Sequence, residues 1–156
     1  MPSSPFAEFA RTAEAVAATT SKLKKRDLLA SYLRDLPKGD LAIAATFFAG
    51  RPLAGAADKL GLGWVQQSQA LAAASGADEQ ALHEAYLRHS DFGDAAAELL
   101  RGRDPSGKPL TLAAVDAAFR SMATAGSGAA RVTTMTDLFG RATADEARFV
   151  GRIVAR

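Results

Sequence analysis

From Phe6 to Val154 the apolar residues of this 156-residue chain recur three and four places apart, and β-branched alternation is scarce. That spacing fits the 3.6-residue period of a helix and not the two-residue period of a strand. Alanine and leucine, both strong helix formers, dominate the pattern. The expected fold class is all-α: a multi-helix orthogonal bundle of short helices with no sheet.

Capping and breaking residues divide the pattern. Ser4-Pro5 reads as an N-cap followed by proline at the first helical position, with Phe6, Phe9, Ala13, Val16 and Ala17 at helical spacing behind it. Thr19-Thr20 interrupts that run. A second helix is expected from Ser21 to Leu36, with Leu23, Leu29, Tyr32, Leu33 and Leu36 inward and Pro37 as its stop. Asp40 is placed to cap a short apolar helix through Phe48, which Gly50 ends. Gly61-Leu62-Gly63 is a turn before a helix containing Val65, Leu71 and Ala72, closed by Gly76. Asp78 starts a helix carrying Leu82, Tyr86 and Leu87, and Ser90 to Leu100 reads as one more, with Gly93 a candidate break.

Residues 101–110 are the clearest loop, rich in Gly, Pro and charge. Thr111 caps a helix with Leu112, Val115, Phe119 and Met122 on one face. The helix after Gly126 carries Val132, Met135, Leu138 and Phe139, and Thr143-Ala144-Asp145-Glu146 is a capping-box pattern that opens the last one. Phe149, Val150, Ile153 and Val154 are still periodic as the chain reaches Arg156, with no stop signal, so the expectation is a part of something larger.

The length suits one domain, 1–156, with a real core, and 48% hydrophobic residues describe a globular chain. No apolar run approaches a membrane span, and Met1-Pro2-Ser3-Ser4-Pro5 has no basic region leading an apolar stretch, so neither a membrane partner nor secretion is expected. The absence of cysteine excludes disulfides, thiolate catalysis and Cys-ligated zinc together, and suits a cytoplasmic protein. Net charge is +2, unevenly spread: residues 1–36 carry +2, residues 37–100 carry −4 and residues 101–156 carry +4. If the basic ends meet in the fold they form a face suited to a polyanion. An ordinary solvated surface accounts for the same charges.

Most motif-like spacings fail on their details. Gly102 to Lys108 matches a phosphate-binding P-loop as far as its lysine, but Pro109 stands where Ser or Thr must ligate magnesium, and no strand precedes it. Gly61-Leu62-Gly63 begins a dinucleotide fingerprint, but Gln66 holds the third glycine position; a helix-start turn within reach of phosphate is the better reading. His83 and His89 are six residues apart, off ligand spacing on a helix. No nucleophile elbow or acid–base cluster occurs, and Glu14, Glu79, Glu84 and Glu98 read as solvated helix faces. Trp64, at a helix start, reads as a core or rim residue.

Two helix starts stand out. Lys22, Lys24 and Lys25 follow Thr20-Ser21, where cations oppose the helix macrodipole and a phosphate backbone gives them a use. Gly126-Ser127-Gly128-Ala129-Ala130-Arg131 reads as a turn whose freed N–H groups open a new helix, with a cation one turn in, an arrangement that holds phosphate.

Taken in order, these pieces resemble the all-helical DNA-binding region at the N-terminus of the ATP-dependent DNA ligases. The likeness covers most of the chain. It is carried by Phe6-Ala7-Glu8-Phe9 with Thr20-Ser21-Lys22-Leu23, by residues 41–53 and Leu60-Gly61-Leu62-Gly63-Trp64, and by Gly93-Asp94. Its most specific block is Gly126-Ser127-Gly128 with Arg131, then Leu138-Phe139, Ala142-Thr143 and Glu146 to Val150. The resemblance implies sequence-independent binding of nicked or duplex DNA in replication, repair or recombination, with catalytic ligase domains in cis or trans. It places the DNA contacts at Ser21, Lys22, Lys24, Lys25, Gly126, Ser127, Gly128 and Arg131. The Lys-x-Asp-Gly adenylation motif is absent, so this chain is not expected to be catalytic alone. No cofactor is expected in it; ATP and a divalent metal belong to a full-length ligase. In the family, the helix matching Phe149 to Arg156 leads into a further minor-groove turn at which this chain stops. A monomer is expected, and the rival reading is a helical protein–protein interaction module without DNA affinity.

Overall fold

The computed structural model describes residues 2–54 and 60–155; Arg156, at the end of the last periodic run, lies outside them. Nine α-helices form among the described residues: α1 (Phe6–Ala17), α2 (Lys22–Arg34), α3 (Lys38–Phe48), α4 (Trp64–Ser75), α5 (Glu79–His89), α6 (Phe92–Leu100), α7 (Leu112–Thr124), α8 (Gly128–Arg141) and α9 (Ala144–Val154). They run from 9 to 14 residues. Among the described residues, pairing of extended backbone is confined to one isolated bridge, Pro5 with Thr111. The fold class expected from periodicity holds: an all-α bundle. None of these helices is long and apolar enough to cross a membrane.

Helix starts follow the local chemistry closely. Ser21, Asp78, Asp91, Thr111, Ser127 and Thr143 each accept a backbone N–H from three residues on, which satisfies donors that the first helical turn leaves free. Glu146 completes the last of these by accepting from the Thr143 N–H at 2.8 Å. Gly76 closes α4 in the left-handed conformation, φ +77°, which glycine adopts without a Cβ penalty.

Two expected caps do something else. Ser4 does not cap α1; its N–H donates to Asp40 Oδ2 at 2.7 Å and its carbonyl accepts from Leu112 N–H at 2.9 Å. Asp40 does not cap α3 either. It lies in that helix's first turn, 5% exposed. There it also accepts from the Ser3 hydroxyl at 2.8 Å. The N-terminal segment thus threads between α3 and α7, and a buried carboxylate holds it because its backbone donors need acceptors away from water.

One continuous core joins the helices. Phe6, Phe9, Tyr32, Phe47, Phe48 and Phe119 meet edge-on or stacked on the α1–α3–α7 side. Trp64, Tyr86, Phe92 and Phe139 form a second chain of rings, in the offset geometries that aromatic quadrupoles favour. Leu23, expected inward, is 62% exposed, and Val65 and Leu87 stand exposed as well, by 65% and 64%. α2 reaches the core only through its C-terminal half, where Tyr32 and Leu33 and then Leu36 beyond the helix end pack against it. Its first turn, with Leu23, stands clear.

The most extensive packing is α6 on α9. Gly93 does not break α6; it is the crossing point. A Cβ there would strike the Arg148 carbonyl oxygen, and one on Gly151 would come within 3.0 Å of the Gly93 Cα. The same crossing is laced with charge. Arg148 Nε donates to Asp94 at 2.9 Å, and its Nη1 reaches Glu14 of α1 and Asp145 at 3.1 and 3.0 Å. Arg152 donates to Asp91 and Asp94 at 3.2 and 3.0 Å. Gly93→Ala is therefore expected to cost about 3 kcal/mol through overpacking against backbone. Gly39, which faces open space in α3, is expected to tolerate alanine with a gain of up to about 1 kcal/mol. Chemical denaturation of the two variants checks both signs.

Candidate functional site

α2 begins at a basic turn. Ser21 Oγ accepts the Lys24 N–H at 3.2 Å, and no acidic residue lies in that first turn. Lys22 and Lys24 are exposed and Lys25 is half-buried. The side chains are therefore free to meet a polyanion, with the unpaired N–H groups and positive dipole end of the helix beneath them.

The second expected start, at α8, opens without left-handed backbone. Neither Gly126 nor Gly128 has positive φ. Ser127 Oγ caps the helix by accepting the Ala130 N–H at 3.1 Å. A side chain on Gly126 would meet nothing within 4 Å, so that backbone is open to an incoming group. Gly128 faces the other way, toward α4. A Cβ there would strike the carboxamide nitrogen of Gln66, in the first turn of α4.

α4 and α8 are the second most extensive pair in the bundle. They run side by side in the same direction: Gln66 meets Gly128 at their starts, and Ala74 shares a surface recess with Phe139 and Gly140 at their ends. The turn before α4, Gly61-Leu62-Gly63, is thereby brought beside the turn before α8. Gly61 has φ +74° and lies across the Arg131 side chain. Gly63 donates its N–H to Gln66 Oε1 at 3.3 Å, and Gln67 Nε2 donates to the Leu62 carbonyl at 3.0 Å. Two helix starts thus open in one place, each presenting free N–H groups and a positive dipole end. Sequence reasoning had only a Gly-x-Gly fragment with which to weigh the α4 turn, and nothing local tied it to Gly126.

Arg131 does not point freely outward. Its Nε donates to the Met122 carbonyl at 3.2 Å and its Nη2 to the Ala125 carbonyl at 3.1 Å, both at the end of α7. The α2 turn is held elsewhere: α2 packs on α1 and α3, whereas α8 packs on α4 and α7.

Residues 101–110 form a loop tied to the end of α8, through Ser106 N–H to the Gly140 carbonyl at 2.8 Å and Arg141 Nε to the Lys108 carbonyl at 2.9 Å. Trp64 is a rim residue, edge-on to Tyr86 and Phe92 with nearly half its surface exposed. Among the described residues no group of three His, Asp or Glu side chains is arranged to hold a metal.

His89 pairs instead with Glu98 at 2.9 Å, and Arg88 joins the same carboxylate. The Arg88 hydrogen bond, then that of His89, draws the Glu98 carboxyl down to about 2 from its ordinary 4.5. A lowered folded-state value stabilises the fold above pH 4.5, and the benefit disappears as pH falls through about 2. The group is solvent-accessible, so the effect is small. Acid titration of thermal stability is expected to fall less steeply over that window in Glu98→Gln than in the parent.

Residues 5–156 match a protein family described as DNA ligase N terminus. A probable DNA ligase of Koribacter versatilis (strain Ellin345) is 35% identical over 93% of this chain and 25% of its own length. A DNA ligase of Methanothrix thermoacetophila is 33% identical over 95% of this chain and 28% of its own. A probable DNA ligase of Opitutus terrae is 35% identical over 89% and 15% respectively. The chain spans about a quarter of the length of the first two of these relatives and less of the third.

Proposed function

Because this chain belongs to the DNA ligase N-terminus family, we propose that it binds nicked or duplex DNA without sequence preference, in support of ATP-dependent ligation by catalytic domains in cis or trans. The observation that carries the reading is the side-by-side placement of the α4 and α8 starts. Two sets of unpaired N–H groups and two positive dipole ends face one region, with the open backbone of Gly126 between capping residues. That is chemistry for phosphate oxygens, and it carries no base readout.

Ser127 orders the α8 turn and Gly128 lets it sit against α4, while Gly126 leaves room for a phosphate. Lys22, Lys24 and Lys25, above the Ser21 cap, supply screened charge for a second stretch of backbone. The chain acts as a monomer, gripping the duplex while chemistry proceeds on another domain, at a nick arising in replication, repair or recombination.

One observation favours the rival protein-interaction reading. A groove of about 550 Å³ lies between α4 and α5, lined by Trp64, Val65, Ala72 and Leu82. Salt separates the two readings. Affinity for a fluorescent nicked duplex is expected to fall steeply with salt on any sequence, each lysine–phosphate contact contributing about 0.9 to the logarithmic slope. Replacing both Lys22 and Lys24 by Gln is expected to lower that slope by about 2 with thermal stability unchanged. A parent chain without salt-dependent DNA affinity overturns the proposal in favour of the interaction module.

A further inference from the structure

We infer that Arg131 is a positioning residue: its guanidinium braces the end of α7 and the Gly61 turn against α8, and so sets the register of the two helix starts that meet DNA. The inference rests on the DNA-binding reading above and changes what Arg131 does within it.

The cation's place is explained without a phosphate. α7 ends with no basic residue in its last turn and no left-handed glycine, since Ala125 is extended at φ −64°, ψ 142°. Its last carbonyls need donors, and Arg131 supplies them at Met122 and Ala125, 3.2 and 3.1 Å away. A cation in the first turn of α8 opposes that helix's dipole, but here the negative end of α7 lies against it and offsets the cost. Two of the five guanidinium donors are thus committed to the protein itself.

The other side of the guanidinium lies on Gly61. A Cβ at Gly61 would come within 2.9 Å of Arg131 Nε and 3.0 Å of Cζ. Gly128, three residues earlier on α8, faces the carboxamide tip of the Gln66 side chain of α4. Both contacts join the same pair of helix starts. Arg131 also ties that pair to α7, so three segments share one rigid edge. A lysine has no planar fork and cannot reach both carbonyls while lying flat on Gly61.

This separates Arg131 from an ordinary phosphate ligand, for which charge matters more than shape. The test uses the whole chain as Arg131→Lys, Arg131→Gln, Gly61→Ala and the Gly61→Ala/Arg131→Gln double variant, with the parent. Each is titrated against a fluorescent nicked duplex over a salt series, below the lowest melting temperature of the set. The brace requires Arg131→Lys and Arg131→Gln to lose affinity alike, about tenfold, with the parent's salt slope retained. Retained affinity in Arg131→Lys, together with a slope about 0.9 lower in Arg131→Gln, makes Arg131 a phosphate ligand and overturns the brace.

The strained φ of Gly61 weighs equally in both backgrounds, so it cancels in the double-variant cycle. Gly61→Ala is expected to cost less affinity once Arg131 is already Gln; an equal cost overturns the inference. A parent chain that binds no DNA removes the DNA reading instead. Melting temperatures of the same five proteins then read the brace on their own: coupling between Gly61 and Arg131 supports it, and independent effects overturn it.

Discussion

The close approach of α6 and α9 at Gly93 and Gly151 is the contact on which the bundle depends. With no side chain on either glycine, two backbones come near enough for Phe92 to be buried against Gly151. Charge then locks the direction of crossing: Arg148 and Arg152 on one helix meet Asp91 and Asp94 on the other, and Arg148 extends the link to Glu14 on α1. Arg148 is only 16% exposed. Partly buried pairs of this kind fix geometry more than they add stability, because desolvation offsets much of the attraction.

From that crossing the frame extends to the candidate site. Phe92 of α6 packs edge-on to Trp64, the first residue of α4, and to Phe139 of α8. α4 and α8 therefore stand on a common base. Their starts are then pinned a second time, by Gly128 against Gln66 and by Gly61 against Arg131. A surface made of backbone N–H groups is only as well defined as the helices that carry it. Here it is built on the ends of packed helices, which fixes where those groups point.

Helix starts were legible in the residues because capping is local: Ser21, Asp78, Thr111, Ser127 and Thr143 each act on a donor three residues away. Inward faces were legible where two helices sandwich a third, as with Phe119 and Met122. They were misread where a helix meets the core along only part of its length, which left Leu23 in water. Several residues that carried the family resemblance, Gly93, Asp94 and Arg148 among them, serve the packing of α6 on α9 rather than a ligand.

The sequence by itself determined the all-α class, the places where most helices begin, the loop at 101–110 and the absence of any thiol chemistry, because each depends on period, composition or bonds within one turn. Only the tertiary structure decided that Asp40 secures the N-terminal segment, that Gly93 is a crossing rather than a break, and that the turns at Gly61 and Gly126 share one edge with Arg131 between them. Those outcomes pair residues from 36 to 70 positions apart in the chain, and no local period or cap encodes which distant backbone comes to lie beside a glycine.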